Sequence, residues 1–122
     1  MAAAIRGTSV ISERDFQDNV IELAQTLGWV VHHDRPARQG EGWVTPIQGN
    51  PGFPDLVLAK GGRVIFAELK SEKGKVTDNQ EAWLTAIQPD PLVEPTAFVW
   101  RPSDLEQIQK VLGGTPEDDD VS

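Results

Sequence analysis

The stretch Pro54-Asp55-Leu56-Val57-Leu58-Ala59-Lys60-Gly61-Gly62-Arg63-Val64-Ile65-Phe66-Ala67-Glu68-Leu69-Lys70 decides the fold. It reads as two apolar runs, Asp55 to Lys60 and Arg63 to Lys70, parted by Gly61-Gly62, the composition of a tight β-hairpin. With those glycines as the turn, Lys60 faces Arg63, Val57 faces Phe66 and Asp55 faces Glu68. Two carboxylates therefore stand opposite one another, at a separation of about 4.5–5.5 Å between β-carbons, where like charges destabilise. Alternation along a strand puts Glu68 and Lys70 on the face of Asp55, and Leu56, Leu58, Ile65, Ala67 and Leu69 on the other. Apolar residues on both faces predict a buried hairpin. An acid pair and a lysine buried there require mutual pairing or a metal ion. Oxygen donors of this kind suit Mg²⁺ or Mn²⁺, which retain waters and take only one or two protein carboxylates. A structural ion pair between Lys70 and one of the acids is the alternative reading.

Working outward, Ser12 is placed to cap a helix with Asp15 at its third position, and Phe16, Val20, Leu23, Ala24 and Leu27 recur at helical spacing up to Gly28. Trp29 to His33 reads as a strand. From Asp34 to Phe53 the chain is rich in Gly and Pro without sustained periodicity, which marks a functional loop, a disordered segment or an element that the pattern hides. Beyond the hairpin, Thr77 opens a second helix with Gln80 at the capping-box position and Trp83, Leu84 and Ile87 on one stripe, ending before Pro89. Thr96 to Trp100 is a last strand, and Ser103 to Leu112 a last helix stopped by Gly113-Gly114. The order helix, three strands, helix, strand, helix predicts a single α/β domain, a small mixed sheet with helices on both faces, over residues 12–112. Residues 1–11 form an N-terminal extension in this reading, and 113–122 an acidic disordered tail.

At 122 residues with no cysteine, the chain is sized for one domain, and disulfides, thiolate nucleophiles and cysteine metal sites are excluded. No membrane-length apolar run or leader-like start is present, so a cytoplasmic protein is expected. A net charge of −8 speaks against a nucleic-acid ligand until its distribution is considered. Four acids sit in the tail Glu117 to Asp120, leaving about −4 for the rest. Between Arg35 and Lys75 seven basic residues outnumber four acids, so the middle of the chain is locally basic.

Two further polar residues converge on the hairpin. Glu13 precedes Phe16 and Val20 at helical spacing and is expected on the buried stripe of the first helix. Gln80 shares the stripe of Trp83, Leu84 and Ile87. Each also has a plain explanation, an acid favouring a helix N-terminus and a glutamine completing a capping box. Gly52-Phe53-Pro54-Asp55 followed by Glu68-Leu69-Lys70 resembles the PD-(D/E)xK nuclease superfamily. Within it the chain is similar to stand-alone VRR-NUC domains of phages and bacteria. The likeness extends to the acid early in the first helix, Leu27-Gly28-Trp29 leading to His32-His33, Ile65 to Ser71, Gln80 with Trp83, and Val99-Trp100-Arg101-Pro102. The long segment Gln39 to Pro51 departs from that pattern.

The resemblance implies a restriction-endonuclease-like core and a Mg²⁺- or Mn²⁺-dependent DNA endonuclease. It implies that Asp55, Glu68 and the Leu69 carbonyl bind the metal, that Lys70 positions the attacking water, and that Glu13 and Gln80 support the site. It further suggests a homodimer that acts on branched DNA such as a four-way (Holliday) junction, in a bacterial cell or a phage-infected host. The alternatives are a catalytically inactive DNA-binding module of the same fold, or an exonuclease or sequence-specific enzyme of the same superfamily. Arg35, Arg38, Lys73 and Lys75 are candidate phosphate contacts and Trp43 a candidate base-stacking residue, with surface solubility and core cover as their ordinary roles. Of His32 and His33, alternation allows only one to face the site.

Overall fold

The computed structural model describes residues 11–34, 37–39, 42–44, 48–88, 90, 92 and 94–113. The proposed extension and tail, apart from Ile11 and Gly113, lie outside them, as does Arg35. Helix α1 spans Glu13–Thr26, opened by Ser12, whose hydroxyl accepts the Asp15 N–H at 3.0 Å. Beyond its end the chain turns at Gly28 (φ 94°) into β1, Val30–His33. Strands β4 (Leu56–Lys60) and β5 (Arg63–Leu69) form the expected hairpin, with Lys60 opposite Arg63 and Val57 opposite Phe66. Gly61 and Gly62 both hold positive φ, 57° and 87°, as a tight turn between right-twisted strands demands. Helix α2 is Asp78–Ile87, β6 is Ala97–Trp100, and α3 is Leu105–Gly113, entered through a short 3-10 turn, Pro102–Asp104.

The segment expected to be an irregular loop contains a second, separate sheet. Strands β2 (Ala37–Gln39) and β3 (Gly42–Val44) pair antiparallel, with Arg38 the backbone partner of Trp43. The main sheet runs β1-β4-β5-β6; β4 is antiparallel to both β1 and β5, and β6 lies parallel to β5.

One face of this sheet is closed and the other is not. Leu56, Leu58, Ile65, Ala67, Leu69 and Trp100 meet Phe16, Val20 and Ala24 of α1 and Ile108 and Leu112 of α3 in one buried cluster. Trp29 closes its rim and donates its indole N–H to the Leu112 carbonyl at 2.9 Å. Burying such side chains contributes about 1.5–3 kcal/mol each and accounts for most of the fold's driving force. On the opposite face Val57 and Phe66 are half-buried, while Val64 is 39% and Val30 73% exposed. The hairpin is therefore half open rather than buried on both faces, because α2 lies towards β6 and covers only that end. No helix among the described residues is long and apolar enough to cross a membrane.

Candidate active site

The hairpin ladder stops one pair short of the carboxylates. Its last register pair is Leu56 with Ala67, and Asp55 sits in a bend just before β4 instead of opposite Glu68 within it. Continuing the ladder would bring Pro54, which has no N–H to give, opposite Leu69. The Leu69 N–H is met not by a main-chain carbonyl of that strand but by the Asp55 side chain, whose Oδ2 accepts it at 2.8 Å. This bond ties the first acid to the strand that carries the second.

Glu68 is the one buried charged residue among those described, at 2% exposure. Its Oε2 accepts from the Gln80 amide at 2.7 Å and lies 3.4 Å from the Lys70 ammonium, whose side chain is only 11% exposed. Its other oxygen, Oε1, is buried with no hydrogen-bond donor. Burial first, and the Asp55 charge second, push the Glu68 carboxyl from 4.5 up to about 7, against the opposing pull of Lys70.

The Gln80 side chain is held from both ends. Thr77 and Gln80 form a reciprocal capping box in which Gln80 Oε1 accepts the Thr77 N–H at 2.9 Å and the Thr77 hydroxyl accepts the Gln80 N–H at 3.1 Å. With the amide oxygen committed to Thr77, the amide nitrogen must point at Glu68. One residue thus starts α2 and holds a carboxylate. The approach to Asp55 is packed against the same helix: Trp83 donates to the Asn50 carbonyl at 3.2 Å, and Phe53 meets Trp83 and Phe66 edge-on, with ring centres 5.0 and 6.1 Å apart.

The structure brings together Asp55, Glu68, Leu69, Lys70 and Gln80. It does not bring Glu13 to them. Glu13 is exposed at the first position of α1, ahead of Phe16, the first buried residue of that helix, and no hydrogen bond or ion pair joins it to the site. An acid there is explained by the positive end of the helix dipole. His32 is exposed and bonded to Asp34 at 2.7 Å, while His33 pairs with Leu56 at the sheet edge. Lys73 and Lys75 are exposed on the loop after β5, while Arg38 and Trp43 are cross-strand partners in the separate ribbon. Sequence reasoning missed that ribbon, although Gly40-Glu41 between two short runs is a hairpin signal. The docking of Asn50 and Phe53 onto Trp83 left no local signal, since residues so far apart meet only in the fold. An open groove of about 390 Å³ between α2 and β6 is lined by Leu84, Pro95, Ala97 and Val99, and none of the site residues lines it.

Among the described residues no group of three or more His, Cys, Asp or Glu side chains is disposed to hold a metal. Two carboxylates, one presenting a buried oxygen without a donor, nevertheless fit a hard divalent ion, which needs few protein ligands. Residues 43–93 match the family model described as the VRR-NUC domain, a span that contains Asp55, Glu68, Leu69, Lys70 and Gln80 but not Glu13. No curated protein and no solved structure gives a significant match.

Proposed function

We propose, for a chain whose residues 43–93 match the family model described as the VRR-NUC domain, a divalent-metal-dependent DNA endonuclease of the PD-(D/E)xK type that prefers branched substrates. Asp55, Glu68, Leu69 and Lys70 form its reacting centre, and Gln80 holds that centre in place. The observation that carries the reading is the pair of inequivalent carboxylates. Asp55 is fixed by a backbone N–H at 2.8 Å, and Glu68 is buried with one oxygen left without a donor. An orphaned buried acceptor forfeits about 1–3 kcal/mol, which a cation bound between the two acids would restore.

Asp55, Glu68 and the Leu69 carbonyl would hold Mg²⁺ or Mn²⁺, which supplies Lewis-acid polarisation of the scissile phosphate when bound. The Lys70 ammonium sits beside Glu68 and is shielded from bulk solvent. There it orients the attacking water and stabilises the negative charge that develops on the phosphate as the leaving oxygen departs. Gln80 keeps Glu68 from rotating by holding Oε2, which would leave Oε1 available to the ion.

For so acidic a chain, a homodimer supplies what one copy lacks. Two copies double the basic surface and bring two sites to two strands, in keeping with the symmetry of a four-way junction. The test is incubation with linear, flapped and four-way DNA at defined salt in Mg²⁺, Mn²⁺ or chelator, beside sedimentation of the free protein. Cleavage confined to the metal arms, with paired nicks in the junction and little cutting of linear duplex, is the expected result. Metal-independent cleavage overturns the metal assignment. A monomer that cuts linear and branched DNA equally overturns the substrate preference alone.

A further inference from the structure

Lys70 leaves the sheet at the end of β5, where its N–H donates to the Trp100 carbonyl of β6 at 3.0 Å. The chain then folds back, with the Gly74 N–H donating to the Ser71 carbonyl at 3.2 Å. The next residue on the β6 side, Arg101, closes this loop from outside. Its Nη1 donates to the carbonyls of Ser71 and Gly74, each at 2.7 Å, and reaches that of Glu72 at 3.3 Å. Arg101 is itself held, its N–H donating to the Asp104 carboxylate at 2.8 Å. Glu72 turns back the other way and accepts the Ser103 N–H.

This is an unusual use of a guanidinium. Among the described residues no carboxylate pairs with Arg101, and its nearest partners are three peptide carbonyls of one short loop. A cation that bonds several carbonyls fixes a backbone path, because each carbonyl must turn towards it at once. The loop it fixes begins at the residue after Lys70, so Lys70 is clamped on both sides, by Trp100 at its own N–H and by Arg101 at the Ser71 carbonyl. The half-buried guanidinium faces the loop's main chain and touches none of Asp55, Glu68 and Gln80 through any hydrogen bond or ion pair.

We propose that Arg101 is a positioning residue of the nuclease: by gathering the Ser71, Glu72 and Gly74 carbonyls it sets the Lys70 ammonium against Glu68, so that cleavage depends on it without contact with DNA. The proposal rests on the reading of Lys70 as catalytic. Arg101→Met keeps an unbranched apolar stem and removes the guanidinium donors. Single-turnover cleavage by that variant is expected to fall about a hundredfold, the penalty of a misplacement near 1 Å, with DNA affinity held within about threefold. Arg101→Lys, a point charge without the fork, regains only part of the rate. Arg63→Met is the control for loss of one positive charge, since Arg63 bonds the Pro95 carbonyl and Glu94 at the hairpin's far end. It leaves the rate within about twofold, as surface charges of that kind contribute little.

Amide exchange supplies a readout independent of activity. The Lys70 and Gly74 amides are expected to exchange at least about tenfold faster in Arg101→Met, with protection of the Leu58 and Ile65 amides of the hairpin unchanged. A rate unaltered in Arg101→Met, or a loss that lies wholly in DNA affinity, overturns the proposal. If Arg101→Met fails to fold, Arg101→Lys decides by the same two measurements. Wild-type protein that cuts no DNA overturns the reading of function instead, and the exchange measurement then decides the clamp alone.

Discussion

Glu68 is the residue on which the chemistry and the stability of the protein meet. Its carboxyl is raised to about 7 by burial and by Asp55. A carboxyl whose folded value exceeds its unfolded value takes up a proton on folding, so its contribution to stability is full below about 4.5 and is lost as pH rises through about 7. Without divalent ions, Glu68→Gln is expected to melt roughly 5 °C above wild type at about pH 8, equivalent to about 1 kcal/mol in a domain of this size, and calorimetry at about pH 4 should erase the difference. Because an ion is bound by the ionised acid, divalent affinity measured by titration is expected to rise with pH up to about 7 and level off above it. The same Glu68→Gln, and likewise Asp55→Asn and Lys70→Ala, should abolish cleavage while circular dichroism reports an intact fold. Retention of near wild-type turnover by any of the three removes that residue from the reacting centre.

At the scale of elements, the site depends on a close approach that only one residue type permits. Gly52 has φ 98°, and a β-carbon built on it would lie 2.6 Å from the Asn79 backbone at the start of α2. Gly52→Ala therefore forces the segment carrying Asn50, Phe53 and Asp55 away from the helix that holds Gln80. A loss of about 2 kcal/mol or more in denaturant unfolding is expected, together with loss of cleavage. A variant as stable and active as wild type would show that this segment can move without disturbing Asp55. The hairpin itself was legible because its signals are local: two glycines between apolar runs fix turn, register and face together. The same arithmetic carried Asp55 one step too far into the ladder, since pairing rules do not announce that an aspartate side chain will replace a main-chain partner. Glu13 was misplaced because helical spacing says which residues share a stripe but not where along the helix the sheet begins to cover it. The β2–β3 ribbon escaped notice because two strands this short carry no periodicity to read.

Considered whole, the proposed function sets an acidic chain against a polyanionic substrate, and the distribution of charge along the chain was readable from the sequence. Removing the residues after Gly114, with the acids Glu117 to Asp120, is expected to leave the melting curve unchanged and to tighten binding to duplex DNA modestly at low salt. Weaker binding or unfolding of the truncated chain would make the tail part of a structure or an interface. The parallel contact of β5 with β6 has a consequence in time. The hairpin closes over two residues and forms among near neighbours, whereas β6 returns to β5 only after the whole of α2 has been laid down. Trp100 and Arg101 therefore reach Lys70 late, and pulse-labelled exchange during refolding is expected to protect the Leu58 and Ile65 amides, paired within the hairpin, before those of Phe66 and Lys70, which donate to the Thr96 and Trp100 carbonyls. On the proposed reading, a chain still searching for its last strand has Glu68 on the hairpin but no settled lysine beside it, so cutting power would arrive only with the completed fold.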